Sequence, residues 1–368
     1  MRKSSVPILI ALLAAGSVTA HEMRSSPFLL FGLDEMMSAS VTPYDVDGDG
    51  DLDAIVANGR HWPEPDQIWL NAGSGRLLEM RTLPGPARPT YEILAADLDG
   101  DGDGDLIALY DELPAAVFRN EGSGIFAPEV RIAESGGNVR DGALADIDGD
   151  GNADLILARR AEQDVYFPGH GDGNFGEPVP VGPSDSHSTA VEAADVDGDG
   201  RTDLLFARRD GEPCSIFFNR GSGRFVESEL AGSVGDNRKV AAADLDGDRQ
   251  LDILVGRIGA PTLVYYGGGS GEFEGQAIGD IADRTYSLAI ADLDLDGDND
   301  VVLGNDEEAN AILYNDGARN FRRVALADEP LETYGTAIAD MNGDGLLDIL
   351  FANSGDANEV LLGRATTP

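Results

Sequence analysis

One cysteine, Cys214, occurs in 368 residues, so no internal disulfide can brace this chain. Basic side chains are scarce: 26 Lys and Arg stand against 67 Asp and Glu, a formal charge of −41. A surface of that sign makes nucleic acid and anionic membranes poor partners. The four histidines fall into no Ser/His/Asp order and no HExxH pattern. Helical periodicity is missing throughout. Long apolar runs are missing too, except at the N-terminus, where residues 6–16 follow Arg2 and Lys3 and precede Val18-Thr19-Ala20. That layout predicts a secretory signal peptide over 1–20, cut after Ala20, because its apolar stretch is too short to span a bilayer. The expected product is a single domain over 21–368, secreted or periplasmic, monomeric, with no later transmembrane segment.

What the chain has in abundance is one acidic loop, repeated seven times. It reads DVDGDGDLD from Asp45, DLDGDGDGD from Asp97, DIDGDGNAD from Asp146 and DVDGDGRTD from Asp195. The remaining copies are DLDGDRQLD from Asp244, DLDLDGDND from Asp292 and DMNGDGLLD from Asp340. Their starts lie 52, 49, 49, 49, 48 and 48 residues apart. A fixed period of this size marks stacked or ring-closed units. Around each loop lie short alternating or apolar runs divided by Gly and Asp turns, as in His187–Ala194, Leu204–Ala207, Ser215–Phe218 and the segment from Phe225. Four strands per repeat predict an all-β, seven-bladed β-propeller of four-stranded antiparallel blades. The last repeat stops after its third strand, and Ser25–Leu30 resembles the missing fourth. The N-terminal strand is therefore expected to complete the last blade and remove an exposed edge.

The loop chemistry points to a hard cation. Clustered carboxylates repel unless a cation lies among them, and oxygen donors at positions 1, 3, 5, 7 and 9 suit calcium before magnesium. The side-chain ligands are Asp45, Asp47, Asp49 and Asp53; Asp97, Asp99, Asp101 and Asp105; Asp146, Asp148, Asp150 and Asp154; and Asp195, Asp197, Asp199 and Asp203. The last three loops supply Asp244, Asp246, Asp248 and Asp252; Asp292, Asp294, Asp296 and Asp300; and Asp340, Asn342, Asp344 and Asp348. Position 7 varies from Asp to Arg to Leu, so it offers a backbone carbonyl. Position 12 is apolar where an EF-hand needs Glu, so Asp at position 9 is expected to close the site. Up to seven Ca2+ are expected, weakest in the fifth loop, where Arg249 replaces the turn glycine, and in the seventh, where Asn342 removes a charge.

These loops and the Gly-turn-Phe element resemble the FG-GAP/VCBS repeat family that builds the integrin α-subunit propeller. The resemblance implies a calcium-stabilised extracellular propeller, and it implies no single function.

Candidate ligand residues lie at matching places on the face opposite the acidic loops. Six residues before each first Asp stand Ala39, Tyr91, Arg140, Thr189, Arg238, Tyr286 and Tyr334; thirteen after it stand Asn58, Tyr110, Arg159, Arg208, Arg257, Asn305 and Asn353. Arg160, Arg209 and Lys239 adjoin them. Arg forks suit carboxylate or sulfate, and Tyr91, Tyr286, Tyr334, His61 and Trp62 offer faces to sugar rings. The first expectation is a non-enzymatic binding or adhesion module for an anionic polysaccharide or an extracellular protein. The alternative is a polysaccharide lyase, with His187 beside Arg140, Arg208 or Arg238 as the set to test. A third reading is a scaffold whose arginines pair with nearby acids and whose tyrosines pack between blades.

Overall fold

The computed structural model describes residues 21–365 apart from 34, 222, 280 and 327–329; the expected signal peptide lies outside them. Among the described residues no helix is long and apolar enough to cross a membrane.

The chain is an all-β propeller of four-stranded blades. In the first repeat, Ser38–Tyr44, Asp53–Asn58, Gln67–Asn71 and Leu77–Thr82 pair antiparallel in that order. The second strand is buried along its whole length, while the fourth is largely exposed. That gradient explains the sequence pattern: continuous apolar runs after each acidic loop, and mixed residues after each Gly turn. Between neighbouring repeats the apolar faces of second and third strands interlock, as where Ile55, Ala57 and Ile68 meet Leu106, Ala108 and Phe118.

Separate blades throughout were expected. Instead, backbone pairing among the described residues groups the strands into three four-stranded sheets, one of six and one of nine. The cause is continuous backbone where turns were expected. Strands Asp154–Phe167 and Val179–Ala194 each run through a bend into the next element, so the third and fourth repeats share hydrogen bonds. Asp306 and Glu308 pair with Glu332 and Leu331 in the same way, joining the sixth and seventh.

The N-terminal strand also differs from expectation. His21–Arg24 pairs with residues 362–365, and Leu30–Phe31 pairs with Asn358 and Glu359, so the edge of the last repeat is built from two pieces. Between them the Leu29 N–H donates to Ser26 O at 2.8 Å in a turn. Pro27 has no N–H to give to a ladder, which accounts for the break. Leu29 and Phe31 are buried with Val41, Met341, Leu350 and Val360, so first and last repeats share one core.

Candidate functional site

Each acidic loop is the tip of a hairpin between first and second strands. The residue before the first Asp pairs across the hairpin with the Asp at position 9, from Tyr44 with Asp53 to Ala339 with Asp348. Glycine at positions 4 and 6 takes positive φ, for example Gly48 at 76° and Gly50 at 95°. Leu295 (59°) and Arg249 (72°) must do the same in the sixth and fifth loops.

The Asp at position 9 has a task that sequence alone did not reveal. In all seven loops one of its oxygens accepts the N–H of position 2, as Asp53 does from Val46 at 3.1 Å. Its other oxygen accepts the N–H at the end of the third strand, as from Asn71 at 2.8 Å. It therefore latches three strand ends. Burial, opposed by these hydrogen bonds, pushes Asp53, Asp203, Asp252 and Asp348 up to about 6.

The donor set fits a divalent cation. Carboxylate oxygens of Asp45, Asp47 and Asp53 lie within 4.8 Å of one another, as do those of Asp146, Asp148 and Asp154. Asp47 Oδ1 is buried with no hydrogen-bond partner. Other loops carry a competitor. Arg119 lies against Asp99 in the second, Arg220 is 2.8 Å from Asp197 in the fourth, and Arg319 is 2.9 Å from Asp246 in the fifth.

At its end away from the acidic loop, every first strand carries a β-bulge. Register shifts between Ser38 and Ser40, Thr90 and Glu92, and at the five equivalent places. The residue skipped by pairing is the one six before the first Asp, and a bulge re-aims its side chain. All seven of these residues, Ala39, Tyr91, Arg140, Thr189, Arg238, Tyr286 and Tyr334, line one cavity of about 90 Å3, joined by Arg60, Glu92, Asp141 and Lys239. The guanidinium of Arg60 stands 3.7 Å from the Tyr334 ring, Arg140 4.5 Å from Tyr91 and Arg238 4.8 Å from Tyr286.

Below this mouth lies a charged cluster that was not anticipated. Lys239 Nζ is 2.8 Å from Asp141 Oδ2, and Glu92 and Glu192 complete it. Burial, opposed by Lys239, raises Glu92 and pushes Glu192 up to about 7. Burial alone would lower Lys239, but Asp141 and Glu92 outweigh it and hold the ammonium above its ordinary value. The signal was available in the sequence: charged residues in first strands that elsewhere carry Ser, Ala or Gly.

The other candidates are placed elsewhere. Arg208 and Arg257 end second strands, Arg159 holds the same place inside the longer strand Asp154–Phe167, and none of the three lines the cavity. Arg159 donates to Glu134 O at 3.2 Å, Arg208 to Ser215 Oγ and Glu227 at 2.9 Å, and Arg257 to Val234 O at 3.2 Å. His187 joins the rim, where Asp210 Oδ2 lies 2.9 Å from its Nδ1 and also accepts from Arg160 at 3.0 Å. That bond to His187 holds Asp210 down at about 2, with Arg160 and Arg209 helping against partial burial. Of His187 and its alternative partners Arg140, Arg208 or Arg238, only Arg140 and Arg238 line the cavity.

The repeat itself matches a family model described as "FG-GAP-like repeat" over 45–108, 97–157, 146–206, 195–255 and 292–351. The chain belongs to the FG-GAP repeat family. No curated protein matches the sequence. Among solved structures, the fold is similar to the BP39L lectin of Burkholderia pseudomallei, with 14% identity, TM-score 0.70, and coverage of 90% of this chain and 96% of that one. It is also similar to an Agrocybe aegerita lectin that recognises non-reducing terminal N-acetylglucosamine (20% identity, TM-score 0.56, 93% and 88% covered). Virginiamycin B lyase of Staphylococcus aureus is a third (12% identity, TM-score 0.63, 93% and 99% covered). At these identities the likeness is one of fold.

Proposed function

We propose that this FG-GAP protein is an exported, calcium-stabilised, seven-bladed propeller that binds an acidic sugar at its axial mouth. One observation carries the ligand reading: seven equivalent bulges deliver three tyrosines and two arginines to one cavity, and Arg60 completes it. Arg60 has no carboxylate partner among the described residues, although acids far outnumber bases in this chain. Among the described residues Arg238 contacts an acid only through Nε, 3.2 Å from Asp236. Guanidinium forks match a carboxylate and tyrosine faces match a sugar ring. The two lectins of similar fold support a binding role.

Ring closure rests on the split N-terminal strand and on Asn71 Nδ2, which donates to Met341 O at 2.6 Å across the first and last repeats. The acidic loops would hold calcium through positions 1, 3, 5 and 9, and the bound ion would neutralise repulsion between hairpin tips. Loops lacking a seated arginine bind it best on this reading. Chelation is expected to lower the melting temperature and added calcium to restore it; an unchanged melting temperature after metal removal refutes the calcium role.

Titration calorimetry with oligomers of galacturonate against neutral cello-oligosaccharides tests the ligand. Binding of the acidic oligomers alone is expected, weakened about tenfold or more by Arg60→Ala with Arg238→Ala, as loss of charge-assisted bonds requires. Equal affinity for neutral oligomers, or an unaffected double variant, refutes it.

A further inference from the structure

From one acidic loop to the next is 52 residues in the first repeat and 49 in the fourth. Two of the extra three lie in the loop that leaves the second strand, eight residues over 59–66 against six over 209–214. This longer loop carries Arg60, which lines the cavity, with His61 and Trp62 directly after it.

Its backbone is specially shaped. The residue fifteen after the first Asp takes positive φ in every repeat, from Arg60 (48°) to Gly355 (76°), but only the first repeat has a second such residue before it, Gly59 at 99°. A Cβ on Gly59 would lie 1.9 Å from Trp62 O, so the turn in which Trp62 N–H donates to Gly59 O at 2.7 Å requires glycine. Bonds to neighbouring segments fix this turn. Gly59 N–H donates to Met37 O at 2.9 Å, Arg60 N–H to Thr90 O at 3.1 Å, and Glu64 N–H to Arg88 O at 3.1 Å.

On this fixed turn Trp62 is 68% exposed, and among the described residues its ring has no aromatic or cationic contact and its N–H no acceptor. The other tryptophan, Trp69, is half-buried, donates to Gln67 at 3.0 Å and stands 5.8 Å from the Phe31 ring. An indole left in water on an ordered loop does nothing for the fold, because apolar area stabilises only when it is buried. It is the kind of large, stiff, amphipathic ring that anchors ligands. Arg60 and Trp62 are two residues apart, so their Cα atoms are separated by at most about 7.6 Å. His61 between them stands edge-on to the Tyr91 ring of the cavity wall, with centroids 5.4 Å apart.

We propose that Trp62 forms a second subsite, stacking on the sugar that adjoins the one whose carboxylate Arg60 and Arg238 hold. The proposal rests on the acidic-sugar reading above, and it makes the ligand an oligomer of at least two units. Stacking uses the C–H face of a ring and asks for no charge, so the sugar on Trp62 can be neutral or acidic while the one in the mouth must be acidic.

Galacturonic acid and its oligomers of two, three and four units are titrated by calorimetry into the full chain with calcium. Expected is a gain of about tenfold in affinity from one unit to two, the size of one good aromatic contact, and little further gain beyond two. Trp62→Ala is expected to remove that step and to leave the monomer's affinity within about twofold, as a separate subsite requires, while Trp62→Phe keeps most of the step. Both variants are expected to melt as the parent does, since the ring is exposed. Tryptophan emission is expected to move to shorter wavelength with the dimer and not with the monomer, and the shift is lost in Trp62→Ala, where Trp69 reports alone. Equal affinity for one unit and two, or a step that survives Trp62→Ala, overturns this proposal and leaves the mouth reading intact. Absence of binding to all four overturns both.

Discussion

Asp66 offers a sharp test of how this fold uses its buried polar groups. It is 7% exposed, its Oδ1 accepts the Asn58 N–H at 2.9 Å, and its Oδ2 accepts the Thr90 hydroxyl at 2.8 Å. The sixth and seventh repeats place a neutral amide in the same role. There Asn305 N–H donates to Asn310 Oδ1 and Asn353 N–H to Asn358 Oδ1, each at 2.8 Å, while Asn310 Nδ2 donates to Thr333. Asp66→Asn should therefore re-form the pattern without a buried charge. Burial, opposed by the two hydrogen bonds, pushes Asp66 from the ordinary 3.8 up to about 7. A carboxyl whose folded value is raised keeps its proton in the folded state, so stability is greatest below the unfolded value and falls as pH climbs from about 4 to about 7. At about 1.4 kcal/mol for each pKa unit, ionised Asp66 costs roughly 4 kcal/mol at most above that window. Imperfect replacement of two hydrogen bonds gives back about 1 kcal/mol each. Asp66→Asn should then be about 2 kcal/mol more stable than the parent at about pH 8, and no more stable at about pH 4. Guanidinium unfolding followed by tryptophan fluorescence measures both. A destabilised variant at the higher pH, or a difference that ignores pH, refutes the reasoning.

Two further outcomes follow from the same kind of accounting. Asn120 Nδ2 donates to Val46 O at 2.8 Å and Gly104 O at 3.1 Å, tying the third strand of one repeat to the acidic hairpin of the one before. Asn120→Ala should cost about 2 kcal/mol in chemical denaturation by stranding buried carbonyls; a loss below about 0.5 kcal/mol would show that water replaces the amide. Lys239→Met leaves Asp141, Glu92 and Glu192 without their cation, a loss of about 3 kcal/mol near pH 8. Because the two glutamates are raised, they take up protons as pH falls, so the loss should shrink near pH 5, and an equal loss at both pH values would contradict the cluster described.

The strand framework was legible because burial on the second strand and exposure on the fourth write different patterns into each repeat. Acidic loops could be placed at hairpin tips because position 12 is apolar and belongs to the emerging strand. The joining of repeats three and four was not legible, since a strand that runs on through a bend carries the same residues as one that turns. Nor could sequence separate the two candidate sets on the far face. Arg159 and Arg140 look equally polar in a string, yet one is buried within a continuous second strand and the other occupies a bulge. Spacing located both, and only the register told them apart.

That register explains why the site took a position of its own in the repeat. At the other regular positions neighbouring strands impose a requirement: a latch at position 9, an apolar wedge at position 2, a pairing residue at the start of the first strand. The bulged position pairs with nothing, so Ala39, Tyr91, Arg140, Thr189, Arg238, Tyr286 and Tyr334 can differ without cost to the ladder. Seven copies bring seven such positions to one cavity, which lets a repeated framework carry an asymmetric mouth. Arginines come from the third and fifth repeats, tyrosines from the second, sixth and seventh, and the smallest side chains, Ala39 and Thr189, from the first and fourth. The small pair leaves the ring lopsided, and Arg60 enters from a loop of the first repeat to fill it. Substituting an arginine at the half-buried Tyr286 or Tyr334 should therefore alter what the mouth binds at a modest cost in stability, whereas an arginine at Ser38 or Ser188, buried and paired, should unfold the strand.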